Sequence, residues 1–124
     1  MQITQITGDE QNMVTGYAAD HVSVNGVRYA ASLILRPDAL LTSWPVTDAR
    51  RLRGNDLAWI REHPPEILLL GTGTRQVFPE RDVWRELRME RWGIEIMDTA
   101  AACRTYNLIV AEGRTVAAAL MVTP

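Results

Sequence analysis

Apolar positions recur along this chain at two periods, and the switch between them separates its elements. Around the pair Asn25-Gly26 the text alternates, with VSV before it and VRY after it. A two-residue type I′ turn needs positive φ at both central positions, which Asn and Gly accept, so residues 21–35 predict a β-hairpin. Pairing outward from the turn sets Val24 opposite Val27 and Val22 opposite Tyr29 on one face, with Ser23 and Arg28 on the other. Upstream, residues 13–19 have the β-tolerant character of a further strand, with Gly16 a place for a bulge. Beyond Tyr29 the alternation fades into Ala31, Ser32, Leu33, Ile34 and Leu35. Such a nearly continuous apolar run suits a strand covered on both faces, so the second hairpin strand is expected to continue into a larger sheet until Arg36-Pro37-Asp38 ends it.

A helical period takes over downstream. Asn55 is placed to cap a helix with Leu57 and Ile60 on its apolar stripe and Trp59 on the flank, stopped by His63-Pro64-Pro65. Residues 66–70 then read as a short buried strand. Pro79 fits the first turn of a second helix, which buries Val83, Trp84 and Leu87, with Glu80 and Asp82 at its positive end and Arg88 and Arg91 at its negative end. After a strand at 94–97, Asp98 or Thr99 caps a third helix that Gly113 ends, and residues 114–122 form the last strand. Residues 38–54 keep no period and hold Pro45, which predicts loop and short strand. Residues 1–11 are polar and expected to be flexible, leaving 12–124 as one domain. Helices inserted between short apolar strands predict an α/β domain in three layers, a mixed sheet of about five strands with an Asn-Gly hairpin and crossover helices.

Composition narrows the function. With 124 residues, 47% of them hydrophobic, one core serves the whole chain and needs neither disulfide nor structural metal. Thirteen basic against 15 acidic residues leave a net charge of −2, which argues against nucleic acid as a partner. No wholly apolar run, residues 67–70 among them, is long enough for a bilayer, so no membrane insertion is expected. The single cysteine, Cys103, reads as a small buried residue in a reducing compartment. A mitochondrial transit peptide is rich in Arg and poor in acids, whereas the first 27 residues have no Arg or Lys and include Asp9, Glu10 and Asp20. The style is that of a bacterial cytoplasmic protein.

Two places carry candidate chemistry. Gly71-Thr72-Gly73-Thr74-Arg75 follows a strand, as phosphate-binding loops do, and glycine lets a ligand approach its backbone N–H groups. It lacks the Gly-Lys-Ser/Thr of a P-loop, and position 76, where a dinucleotide fingerprint needs its third glycine, holds Gln76. The structural alternative is a sharp turn at a strand's carboxyl end. The third helix is the other place: Ala102, Cys103, Tyr106, Ile109 and Val110 make the inward stripe, while Arg104, Leu108 and Glu112 fall opposite. Arg104 and Leu108 are neighbours there, a combination that suits a partner surface; the alternative is a lone exposed leucine. Asn107 borders the stripe and is expected to hydrogen-bond a loop.

Other constellations are missing from the text. His21 and His63 share no metal-ligand spacing, and Ser23, Ser32 and Ser43 lie outside any GxSxG elbow. Asp98 reads as a helix cap rather than a general base, and Trp44, Trp59, Trp84 and Trp92 as packing. No catalytic residue, metal or cofactor is therefore assigned.

LLLGTGT at residues 68–74, Pro79, and GIEIMDTAAACRTYNLIVAEGRTVAAAL at residues 93–120 resemble a family of small bacterial and archaeal proteins of unknown function. Its mitochondrial relative is a complex I assembly factor, the third alpha-subcomplex assembly factor of NADH:ubiquinone oxidoreductase. The resemblance is specific over residues 66–122 and loose over residues 12–36. It implies a compact three-layer α/β fold with a mixed five-stranded sheet, and no agreed reaction, cofactor or catalytic residue. The expected function is a non-catalytic protein-binding or assembly-factor-like module, whose partner is another protein or a second copy. The alternative is a small-molecule or anion binder, or an enzyme, using the Gly71 to Arg75 loop, with Arg75 and Arg104 supplying positive charge.

Overall fold

The computed structural model describes residues 2–5 and 11–123. Among the described residues nine strands and three α-helices follow in order: β1 (Gln2–Gln5), β2 (Val14–Ala18), β3 (His21–Val24), β4 (Val27–Tyr29), β5 (Leu33–Arg36), β6 (Ala39–Thr42), α1 (Ala58–Glu62), β7 (Ile67–Gly71), α2 (Arg81–Arg88), β8 (Gly93–Met97), α3 (Thr99–Ala111) and β9 (Val116–Leu120). A six-stranded sheet has the order β1-β6-β5-β9-β7-β8, and a three-stranded sheet the order β2-β3-β4. Strands β8, β7 and β9 run parallel, because α2 and α3 carry the chain back between them, and the other pairs are antiparallel.

Alternate side chains of the large sheet feed two apolar layers. Leu68 and Leu70 join Ile60, Leu87 and Trp92 on one face, while Leu69 joins Tyr106, Ile109 and the valines of β2 and β3 on the other. The result is the expected three-layer α/β domain, with a mixed sheet between α1 and α2 on one side and α3 with the small sheet on the other.

The hairpin has the predicted register, Val22 opposite Tyr29 and Val24 opposite Val27. Its turn places Asn25 at φ 49° and Gly26 at φ 83°. The second hairpin strand does not run on into the large sheet. It stops at Tyr29, and the chain crosses to the other sheet before β5, where buried Ser32 accepts a hydrogen bond from the Val122 N–H at 2.9 Å. Ser32 also offers its carbonyl to the Trp44 N–H at 2.8 Å. The corner is thus fixed by long-range bonds rather than by local pattern.

Of residues 1–11, expected as a flexible segment, Gln2–Gln5 forms the edge strand of the large sheet, paired along β6, and residues 1 and 6–10 lie outside the described residues. With β1 and β6 the mixed sheet has six strands, close to the about five expected. Asn55 is not the cap expected for α1. A 3-10 turn at Gly54–Leu57 precedes that helix, and it is Asp56 that accepts from the Arg53 N–H, at 2.8 Å.

Candidate functional site

At the carboxyl end of β7 the chain must leave the sheet beneath the start of α3. Gly71 makes this possible: a Cβ there would stand 3.0 Å from Leu120 Cδ2, 3.0 Å from Thr99 Cα and 3.1 Å from Ala102 Cβ. The next turn needs Gly73 at φ +96°. Between them, buried Thr72 donates its N–H to the Met97 carbonyl at 2.9 Å, and its hydroxyl lies 2.5 Å from the Arg75 carbonyl and accepts from the Val77 N–H at 3.0 Å. The Gly73 N–H donates to Thr99 Oγ1 at 2.8 Å, and that hydroxyl donates to the Met121 carbonyl at 2.7 Å. Thr99 N–H and Met121 N–H return bonds to the Gly73 and Gly71 carbonyls at 2.9 and 2.8 Å.

This loop therefore stitches β7, β8, β9 and α3 together, and two of the N–H groups of the expected anion cradle are spent on protein partners. Thr74 and Arg75 remain exposed. Two cavities flank them. One, of 310 Å³, lies between Gly73, Thr74, Thr99, Ala100 and Met121 on one side and Tyr17 to Ala19 on the other. The second, of 220 Å³, is bordered by Arg75, Thr72, Thr47 and Asp48, with Arg50 at its edge bonded to Asp48 at 3.1 Å. Among the described residues Arg75 has no ion pair.

Helix α3 follows its sequence pattern closely. Asp98 caps it, accepting from the Ala101 N–H at 2.8 Å. Ala102, Cys103, Tyr106, Ile109 and Val110 are all buried, and Arg104, Leu108 and Glu112 are exposed, Leu108 by 63%. Burial pushes the Cys103 thiol up to about 12 and raises the Tyr106 phenol, whose hydroxyl donates to the Asn12 carbonyl at 2.8 Å. Neither is poised as a nucleophile at neutral pH. The Asn107 amide bonds both the N–H and the C=O of Val14, at 2.9 and 2.8 Å, so it pairs with the edge of β2 rather than with a loop.

Arg104 donates from Nη1 to Tyr17 Oη at 3.0 Å. Arg75 borders the smaller cavity, whereas Arg104 reaches Tyr17 on the rim of the larger. Tyr17, 39% exposed, is the surface residue that pattern reading missed. It sits in the stretch read as a strand, and only its distant bond to Arg104 singles it out. Of the two cap candidates Asp98 is the cap, and Thr99 is the central hydroxyl of the loop.

Among the described residues no group of three His, Cys, Asp or Glu side chains is arranged to hold a metal ion, and no helix is long and apolar enough to cross a membrane.

Comparison with known proteins places this geometry. The chain is similar to the NADH dehydrogenase (ubiquinone) 1 alpha subcomplex assembly factor 3 of Bos taurus, 31% identical over 113 residues that make up 90% of this chain and 61% of that protein. It thus spans about three fifths of the length of that relative. A crystal structure of a Bordetella parapertussis protein superposes with a TM-score of 0.84 at 36% identity, covering 94% of this chain and all of the other. An NMR structure of a Xanthomonas campestris protein gives 0.81 at 38% identity, covering 92% and 86%. Residues 14–121 match the family described as "Protein of unknown function (DUF498/DUF598)", and the chain belongs to that family.

Proposed function

We propose that this chain is a non-catalytic protein-binding module serving the assembly of a larger complex, and that it docks its partner on the outer face of α3 around Arg104, Leu108 and Glu112. The observation that carries this reading is Leu108, a large aliphatic side chain 63% exposed in the middle of a helix whose opposite face is buried. Beside it the Arg104 guanidinium is already held by Tyr17 Oη, so an interface loses less side-chain freedom there on binding. Tyrosine and arginine are the residue types that dominate interface energetics. The naming of the bovine relative as an assembly factor supports the same reading. We place the module in the cytoplasm, because the lone buried Cys103 leaves nothing for an oxidising compartment to stabilise.

The test is affinity capture from a cell extract with wild-type and Leu108→Asp protein, run beside thermal melts of both. Loss of the same captured protein in the variant, with an unchanged melting temperature, is the expected result. Undiminished capture by a folded Leu108→Asp protein would sink the proposal.

One observation favours a second reading, a small-molecule site. The 310 Å³ cavity beside Gly73 and Thr74 approaches the volume of a small ligand pocket. A thermal-shift screen with nucleotides, phosphorylated metabolites and carboxylates addresses it. A ligand whose shift disappears in Ala100→Phe, which fills that cavity, would favour this reading over the first.

A further inference from the structure

We propose that a second copy of this chain covers the outer face of α3, the two helices packing antiparallel about a two-fold axis through Leu108. This rests on the reading of that face as a docking surface and names an occupant for it. Arg104 lies four residues before Leu108 and Glu112 four after. An antiparallel pair centred on Leu108 therefore sets leucine against leucine and each Arg104 against Glu112 of the second copy. The two ion pairs stand about 12 Å apart along the helix, one on each side of the apolar contact. A shift of one turn in either direction sets Leu108 against Arg104 or against Glu112 of the other copy. The face is self-complementary in one register, as a two-fold interface requires.

Neither charge has a close ion pair among the described residues, the carboxylate that acts on Arg104 being the more distant Asp98. Among the described residues Glu112 has no ion pair, and Arg104 donates its side-chain hydrogen bond to the Tyr17 hydroxyl rather than to a carboxylate. Glu112 is moreover the C-cap of α3, where the helix dipole disfavours a carboxylate. Arg104 of the second copy offsets that conflict. On α3 itself the residues around Leu108 are the small Ala101, Thr105 and Ala111, with Tyr17 of β2 bonded to Arg104 at the border of the face.

An interface of one helix per copy falls below the roughly 1,200 Å² of stable complexes, so the dimer is weak and salt-sensitive. The test is sedimentation equilibrium of the full chain at low salt, from roughly 10 μM to 1 mM, concentrations that bracket a small interface. The average mass is expected to climb from 13.9 kDa toward twice that value. Arg104→Glu and Glu112→Arg alone should each weaken association roughly tenfold or more, and the double variant should restore it. A monomer at the highest concentration, or a dimer indifferent to all three variants, overturns the proposal. So does a double variant that fails to recover while its melting temperature matches wild type. If the wild type stays monomeric but Leu108→Asp still abolishes capture of another protein, self-pairing fails and the docking surface stands.

Discussion

At the scale of single residues, the two glycines of the candidate loop do different jobs. Gly71 is there for space and Gly73 for its positive φ. Gly71→Ala pushes a methyl group against backbone at Thr99 and side chains at Leu120 and Ala102; only the Leu120 methyl is a side-chain end, and that leucine is fully buried. Overpacking of this kind costs about 1–3 kcal/mol, to be read as a lower urea midpoint at constant slope. Thr99→Val keeps the shape but leaves the buried end of the Gly73 N–H bond without its acceptor, a loss of about 1–3 kcal/mol. Both effects would be structural, and their measurement separates scaffold from binding loss in any ligand study of this loop. The Gly-Thr-Gly motif was legible in the sequence as a turn at a strand end. That two of its N–H groups, those of Thr72 and Gly73, are already satisfied was not, because Met97 and Thr99 lie some 25 residues along the chain.

Buried ionisable groups add a pH dependence at the same scale. The Cys103 thiol, ordinarily near 9.0, is held up to about 12 by burial, and the Tyr106 phenol is raised from 10.0 by the same cause. Because the folded values exceed the unfolded ones, the stabilisation is complete below pH 9 and is lost as pH rises beyond it, the unfolded chain releasing protons that the folded chain retains. Stability should fall by up to about 1.4 kcal/mol per pH unit for each group that titrates only when unfolded. Melting curves between pH 8 and pH 11 check this in wild type and in Cys103→Ala, which should flatten the slope above the ordinary thiol value of 9.0. An identical slope in the variant would show that the cysteine does not contribute.

Among the elements, α3 was the one read most completely from sequence. Its cap, its inward stripe and its outer face all follow from local spacing, since helix period and capping are properties of consecutive residues. The start of α1 and the corner at Ser32 were not legible, for the complementary reason. Arg53 with Asp56 replaces the expected Asn55 cap by a 3-10 turn, and the Ser32 hydroxyl is bound by Val122, 90 positions away. A consequence for α3 is that its two faces should respond oppositely to substitution. Tyr106→Ala removes the largest fully buried side chain and its bond to Asn12, and is expected to cost about 3–5 kcal/mol, enough to threaten folding. Tyr106→Phe removes the bond alone and should cost about 1–3 kcal/mol, through the unsatisfied Asn12 carbonyl. Chemical denaturation of the pair separates packing from hydrogen bonding at this position.

For the whole molecule, the three-layer plan came from the order of elements, but the width of the sheet did not. Strand β1, with the text QITQ, offers no apolar run, and β6 lies in a stretch without period, so the antiparallel edge β1-β6 is held by backbone pairing from Gln2 opposite Thr42 to Gln5 opposite Ala39. That edge has a protective task. Strand β6 carries Ala39, Leu40 and Leu41 nearly fully buried, and without β1 its outer row of N–H and C=O groups would face solvent beside apolar side chains. Exposed apolar edges recruit other strands. A chain beginning at Gln11 is therefore expected to melt several degrees lower and to scatter light on heating at concentrations where the full chain stays clear. Its self-association should be insensitive to Arg104→Glu, since it arises at β6 rather than α3. Melting and scattering identical to the full chain would mean that β6 is protected without β1, and the four-residue strand would then contribute nothing to the closure of the sheet.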